Sequence, residues 1–220
     1  MEPYLYGQEE GVHVFDLAKT KEALEAALTF LTQASSEGKV IVIVGTKKQA
    51  KEKVKEVALA AQVPYVSERW LGGTLTNFEQ IKKSLLRLKE LKEKTAAGEF
   101  AKFTKKERLL IERDIARMEK LLGGISALSE RPQVLFIVDT HKEFSAVKEA
   151  GREGITIVGI VDSNSDPTPI DYPIPMNDDA QKALEYVLEL VKEAILLGNK
   201  SQSKKFAKEE AGEKEKAENK

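Results

Sequence analysis

Trp70-Leu-Gly-Gly-Thr-Leu-Thr-Asn-Phe78 divides this sequence into two kinds of pattern. Before it, short β-branched runs alternate with amphipathic helical stretches; after it comes a long, charged, purely helical pattern. Gly72 and Gly73 carry no Cβ, so the backbone can turn sharply and approach a neighbour closely just before a helix. Thr74 is a candidate N-cap for that helix, with Thr76 and Asn77 as alternatives one turn on. Trp70, the single tryptophan, suits an anchor either against the core or against a nucleotide backbone.

Upstream, Val12-His-Val-Phe15 alternates and reads as an arm or edge strand, with His13 a core residue. Asp16 or Thr20 caps a helix through Leu24, Ala27, Leu28 and Leu31 that Gly38 ends. Val40 to Val44 is an unbroken apolar run, as expected of a parallel strand covered on both faces. A helix through Ala50, Val54, Val57, Ala58 and Ala61 and a short strand near 63–66 follow. Downstream, 134–138 and 155–161 are further buried strands, with a helix through Phe144, Val147 and Ala150 between them. A last strand near 172–174 precedes a helix through Leu184, Val187, Leu188, Val191 and Ile195. This alternation predicts right-handed crossovers and a doubly wound parallel sheet, whose ligands bind beyond the carboxyl ends of its strands.

The interruption spans 75–122. Phe78, Ile81, Leu85 and Leu88 on one side of Thr95–Gly98, and Ile111, Ile115, Met118 and Leu122 on the other, are heptad seams. Thr104 with Glu107 is a capping box, and the pattern as a whole is an antiparallel helical hairpin. The sequence therefore divides into an α/β body over 1–74 and 123–199, the inserted hairpin, and a polar tail over 200–220 that is expected to be disordered.

The chain has no cysteine and two histidines, which excludes disulfides, thiolate metal sites and cysteine nucleophiles and leaves little imidazole chemistry. No apolar run approaches the roughly 20 residues that cross a bilayer, and Met-Glu-Pro-Tyr is not a secretory start; a soluble, unexported protein is expected. Net charge is only −1, yet it is segregated: 14 basic against 9 acidic residues over 63–125, and 6 against 13 over 126–199. Local fields rather than the total then select partners.

Gly45-Thr-Lys-Lys48 follows the first core strand and opens a helix, a place where phosphate can be held. The spacing of a P-loop or dinucleotide fingerprint is absent, so Lys47 and Lys48 are candidate RNA-backbone contacts or solvated lysines. Asp139, Asp162, Asp166, Asp171, Asp178 and Asp179 collect near strand ends, where turn and capping chemistry is favoured over Mg²⁺ binding. His141, between Asp139 and Glu143, has no serine or cysteine elbow to serve, and no nucleophile, base and oxyanion hole assemble. A nucleotide- or small-molecule-handling α/β enzyme is the alternative these residues leave. The hairpin carries Lys82, Lys83, Arg87, Lys89, Lys92 and Lys94 on one arm and Lys105, Lys106, Arg108, Arg113, Arg117 and Lys120 on the other. Such a rod can lie along phosphates, or its charges can pair between the two helices.

The run from Trp70 to Asn77, the basic hairpin with Thr104-Lys-Lys-Glu107 and Leu122-Gly-Gly-Ile125, Asp162 to Pro167, Ile170 to Pro175 and Asn177-Asp-Asp-Ala180 together resemble the bacterial small-subunit ribosomal protein S-two family over about residues 1–197. The resemblance implies a flavodoxin-like five-stranded sheet of order 2-1-3-4-5 with the hairpin inserted after the second strand. It implies no catalysis and no cofactor. It implies a cytoplasmic, ribosome-bound protein at the junction of head and body, in contact with small-subunit ribosomal RNA and neighbouring proteins including S-one, with no membrane and no small-molecule substrate. The RNA-contact residues it implies here are Lys47, Lys48, Arg69, Trp70, Thr74, Asn77, Lys82, Lys83, Arg87, Lys105, Lys106 and Arg108, with the other hairpin cations. The family's usual N-terminal Gly-Val-His-Phe-Gly-His type motif is not in this sequence. Glu9-Glu10 stand where Arg-Asn is common. Met176 stands where Gly is usual before Asn-Asp-Asp, a replacement that argues against a φ > 0 turn there.

Overall fold

The structure, a computed structural model, describes residues 1–218 in backbone and 1–203 in side chains. The chain starts with a two-stranded antiparallel ribbon, β1 (Leu5–Glu9) and β2 (Val12–Phe15). Its connecting residues Glu10 and Gly11 have φ of 49° and 84°, the left-handed pair that a tight two-residue hairpin requires. The ribbon is a sheet of its own and not an edge strand of the main one, and His13 on β2 is exposed, not part of the core.

Asp16 starts α1 (Leu17–Ser36) by accepting the N–H groups of Ala18 and Lys19 at 3.0 and 3.4 Å. Then come β3 (Ile41–Val44), α2 (Lys51–Ala61) and β4 (Tyr65–Val66). The hairpin is α3 (Phe78–Ala96) and α4 (Lys105–Leu122). After it follow β5 (Val134–Ile137), α5 (Phe144–Glu153), β6 (Thr156–Val161), β7 (Tyr172–Pro175) and α6 (Gln181–Glu218). The expected disordered tail over 200–220 falls mostly on residues whose side chains lie outside the described set.

The five strands β3 to β7 form one parallel sheet in the spatial order β4-β3-β5-β6-β7; counted by themselves in sequence order, that is 2-1-3-4-5. Because side chains alternate along a strand, Ile41 and Ile43 enter one core with α1, α2 and α6, while Val42 and Val44 enter the other with α5 and the root of the hairpin. Each fully buried Leu or Ile in these layers stabilises the fold by about 1.5–3 kcal/mol. Met176 does not have a positive φ, in keeping with a methionine where the family usually has glycine.

Both roots of the hairpin pack on the second core: Phe78, Ile81 and Leu85 from α3 and Leu122 from α4 sit against Val42, Leu135 and Ile137. Gly124, just beyond α4, lies on the open side of β4, where a Cβ would come within 2.2 Å of the Tyr65 carbonyl oxygen. That turn covers the sheet edge, a position that exposed would invite unwanted strand pairing. Farther out the seam loosens. Leu88 is the last buried residue of α3, and every residue from Ala101 to Leu110 is exposed. A 19-residue helix is about 28 Å long at 1.5 Å per residue, so the outer half of the hairpin stands clear of the body. Among the described residues, no helix is long and apolar enough to cross a membrane.

Candidate nucleic-acid interface

The loop entering α3 is fastened by a residue that its sequence did not mark out as functional. Glu149, on α5 and 8 % exposed, accepts through Oε1 from the indole N–H of Trp70 at 3.1 Å and the N–H of Gly73 at 2.8 Å. Through Oε2 it accepts from the N–H groups of Leu75 and Thr76 at 2.9 and 3.3 Å and from the Thr76 hydroxyl at 3.3 Å. Gly73 reaches φ 88° to turn its N–H into this cage. Burial pushes the Glu149 carboxyl up, but the N–H donors of Leu75, Gly73, Trp70 and Thr76 prevail and hold it below the ordinary range. A signal was present in the sequence: Glu149 sits three residues from Ala146 and one from Ala150, inside the apolar stripe of α5.

This geometry moves three expected RNA contacts indoors. Trp70 is 7 % exposed and packs on the second core. Thr74 is buried with its hydroxyl donating to the Leu71 carbonyl at 2.6 Å, and it does not cap α3; Asn77 holds the cap position without a side-chain cap bond. Lys47 is the third. Its Nζ lies 2.6 Å from Asp178 Oδ1, 2.6 Å from Asp179 Oδ1 and 3.5 Å from Asp139 Oδ2.

The carboxyl end of the sheet, where a doubly wound fold would bind a ligand, is therefore occupied by its own charges. Thr46 donates to the buried Glu143 carboxylate, and Lys142 Nζ donates to the Thr46 carbonyl at 3.0 Å. Burial pushes Glu143 up in pKa. Burial also pushes Asp178 up to about 7, helped by its hydrogen bond with Asp162 and opposed by Lys47. For Lys47 burial acts against the charge, but the hydrogen bonds to Asp178 and Asp179 prevail and raise it. Asp162, Asp178 and Asp179 could offer a metal three carboxylate oxygens within 4.8 Å of one another, but two of them already hold the Lys47 ammonium. Of the other acids, Asp166 accepts the N–H of Thr168 at 3.0 Å, the turn chemistry expected of it, whereas Asp171 reaches the N–H of Ile157 on β6 at 2.8 Å, a long-range tie and not a turn. Asp139, Glu143, Asp162 and Asp178 thus gather at this end of the sheet, with Lys47 held among them.

The hairpin is the opposite case. Of its cations from Lys82 to Lys120, Lys92 pairs with Glu119 across the two helices and Lys120 with Glu68 at 3.4 Å. Among the described residues Lys82, Lys83, Arg87, Lys105, Lys106 and Arg108 have no carboxylate partner, and all six are exposed. Helical periodicity sets Lys83, Arg87 and Lys94 in one strip opposite the α3 seam, and Lys106, Arg113 and Lys120, seven apart, in one along α4. The capping box at Thr104 and Glu107 forms, with the Thr104 N–H donating to Glu107 Oε2 at 2.9 Å. Phe100 and Phe103 pack edge to face, 5.5 Å between centroids, in the turn between the helices. Arg69 and Asn77, just before α3, and Lys48, in the loop after β3, are exposed.

A family model described as Ribosomal protein S2 matches residues 1–198. The chain is 41% identical over 198 residues to the small ribosomal subunit protein uS2 of Coprothermobacter proteolyticus, covering 90% of this chain and 74% of that one. It is 43% identical to the uS2 of Helicobacter hepaticus and 43% to that of Chloroflexus aggregans, each over 90% of this chain and over 75% and 83% of theirs. With the sheet, the inserted hairpin and a match over residues 1–198, the chain belongs to the ribosomal protein S2 family.

Proposed function

We propose that this protein binds ribosomal RNA with its hairpin at the junction of head and body of the small subunit, as a positioning element and not a catalyst. Membership of the family makes it a small-subunit ribosomal protein rather than an enzyme. The finer reading rests on one observation: among the described residues Lys82, Lys83, Arg87, Lys105, Lys106 and Arg108 on α3 and α4 are exposed and without carboxylate partners, while Lys47 at the mouth of the sheet is neutralised internally. Unpaired lysines and arginines on a rod hold phosphates in register and read the shape of RNA more than its sequence. In this reading 75–122 is the RNA-binding insertion, and 1–74 with 123–199 is the body. The acidic stretch 126–199 faces solvent or neighbouring proteins, S-one among them, on a cytoplasmic ribosome. Lys48, Arg69, Asn77, Lys82, Lys83, Arg87, Lys105, Lys106 and Arg108 form the contact set.

The test is cosedimentation with small subunits lacking this protein, across a salt series, for the wild type and for K82E/K83E/R87E. Every cation taken off a phosphate lowers the slope of log affinity against log salt by about 0.7–0.9, so the triple variant's slope should fall by roughly two units or more while the protein unfolds as the wild type does. An unchanged slope removes α3 from the RNA. Failure to associate at any salt overturns the proposal.

A further inference from the structure

We infer that Glu149 is the positioning residue that sets the direction in which the hairpin leaves the body, a reading that rests on the hairpin being the RNA-binding limb. The loop from Trp70 to Thr76 has no strand or helix of its own to take up its N–H groups. It delivers three of them, with the indole N–H and a hydroxyl, to one carboxylate. That carboxylate stands on α5, which is fixed to the sheet by Ala146, Val147 and Ala150. Phe78 begins α3 two residues beyond the cage, and the Asn77 N–H donates back to the Gly73 carbonyl at 2.9 Å, so the first turn of α3 continues directly from the clamped segment. The apolar contacts of Phe78, Ile81 and Leu85 hold the root down but are non-directional. The hydrogen bonds to Glu149 supply the direction. A second tie, Glu68 to Lys120 and Lys51 at 3.4 Å each, lies at the surface and contributes little.

The chemistry at this point is selective. Both oxygens face donors, and each receives two N–H groups. A glutamine of the same shape would turn its NH₂ toward two N–H groups, lose their hydrogen bonds and set donor against donor. Charge and not volume is what the position requires.

The absence of cysteine from the chain allows spin labels at cysteines introduced only at Ala101, in the hairpin turn, and Arg152, on α5. Distance distributions are measured on the full-length, RNA-free protein in the wild type, E149Q and W70F, with the unfolding of the body followed alongside. The wild type should show a single narrow peak; E149Q should lose it while the body remains folded, and W70F, which removes one donor, should broaden it less. A wild-type distribution in folded E149Q overturns the proposal. Should E149Q not fold, W70F and T76V, which each remove one donor and leave the carboxylate in place, decide it: a wild-type distribution in both overturns it. Because no RNA is present, failure here is distinct from failure of the charge-reversal test on α3.

Discussion

Lys47 and Lys83 each follow or precede another lysine, and by local sequence they are alike. In the fold they are opposites. Lys47, its side chain 15 % exposed, is enclosed by carboxylates that come from the loops after β5 and β7, 92 to 132 residues away in the chain. Lys83 stands on a helix whose seam points away from it and meets no acid among the described residues. The difference comes from topology. Parallel strands bring all their carboxyl ends to one rim, and the turn-forming aspartates that end those strands arrive there together. An inserted hairpin carries its charges out of their reach. Of these two lysines, the one at the rim is neutralised by its own fold and the one on the hairpin is not.

The strongest way to break this contrast is K47M. Methionine retains the apolar stem and removes the ammonium, leaving Asp139 and Asp178 buried with no counter-ion. Breaking a buried ion pair on one side costs about 3–5 kcal/mol; because Asp179 is largely solvated, a destabilisation of about 3 kcal/mol is expected in denaturant unfolding at neutral pH. The salt slope of RNA binding should not move. A slope reduced by a full unit would put Lys47 on a phosphate and dissolve the distinction between rim and hairpin.

A smaller effect sharpens the picture of the rim. Asp178 titrates near 7 when folded, well above the 3.8 of a free aspartate, so between those values the native state holds a proton that the unfolded chain has released. Its contribution to stability is complete below about pH 4 and is lost as pH rises through 7. The groups around it include Asp162, Asp139, Asp179 and Lys47. D178N fixes the neutral form, and the fall in stability between pH 5.5 and 7.5, about 1–2 kcal/mol in the wild type, should flatten. Thermal unfolding over that range is the measurement, and equal slopes in both proteins would show that the proton is not held there.

How much of this was readable in advance follows the range of the interactions. The runs at 40–44, 134–138 and 155–161 gave away their strands because a strand covered on both faces must be apolar throughout. The Thr104 capping box and the seam from Phe78 to Leu88 are local or helical patterns, and both formed. What depended on distant partners was not readable. Nothing near Lys47 predicts that Asp178 will meet it, and nothing in Trp70-Leu-Gly-Gly73 indicates that its N–H groups converge on α5. The ribbon turn escaped for another reason. Glu10-Gly11 lacks the Asn-Gly or Asp-Gly pair that marks such turns, and Tyr6, Val12 and Val14 of the ribbon are exposed rather than buried, so periodicity suggested a core for His13 where there is none.

The smallest effect tests the contrast within the hairpin itself. Lys92 sits on the seam side of α3 and meets Glu119 of α4, with the two side chains 50 % and 46 % exposed. A pair so open to water stabilises by only about 0.2–1 kcal/mol and is screened by salt. K92A should therefore cost about half a kcal/mol in low-salt unfolding and nothing near 1 M salt. It should also leave the salt slope of RNA binding where it was, because a cation directed at the partner helix is not directed at phosphate. If K92A lowered that slope as much as K83A does, the direction a side chain takes from its helix would not matter. The hairpin would then bind by net charge alone, as a diffuse cation and not as a surface with a face.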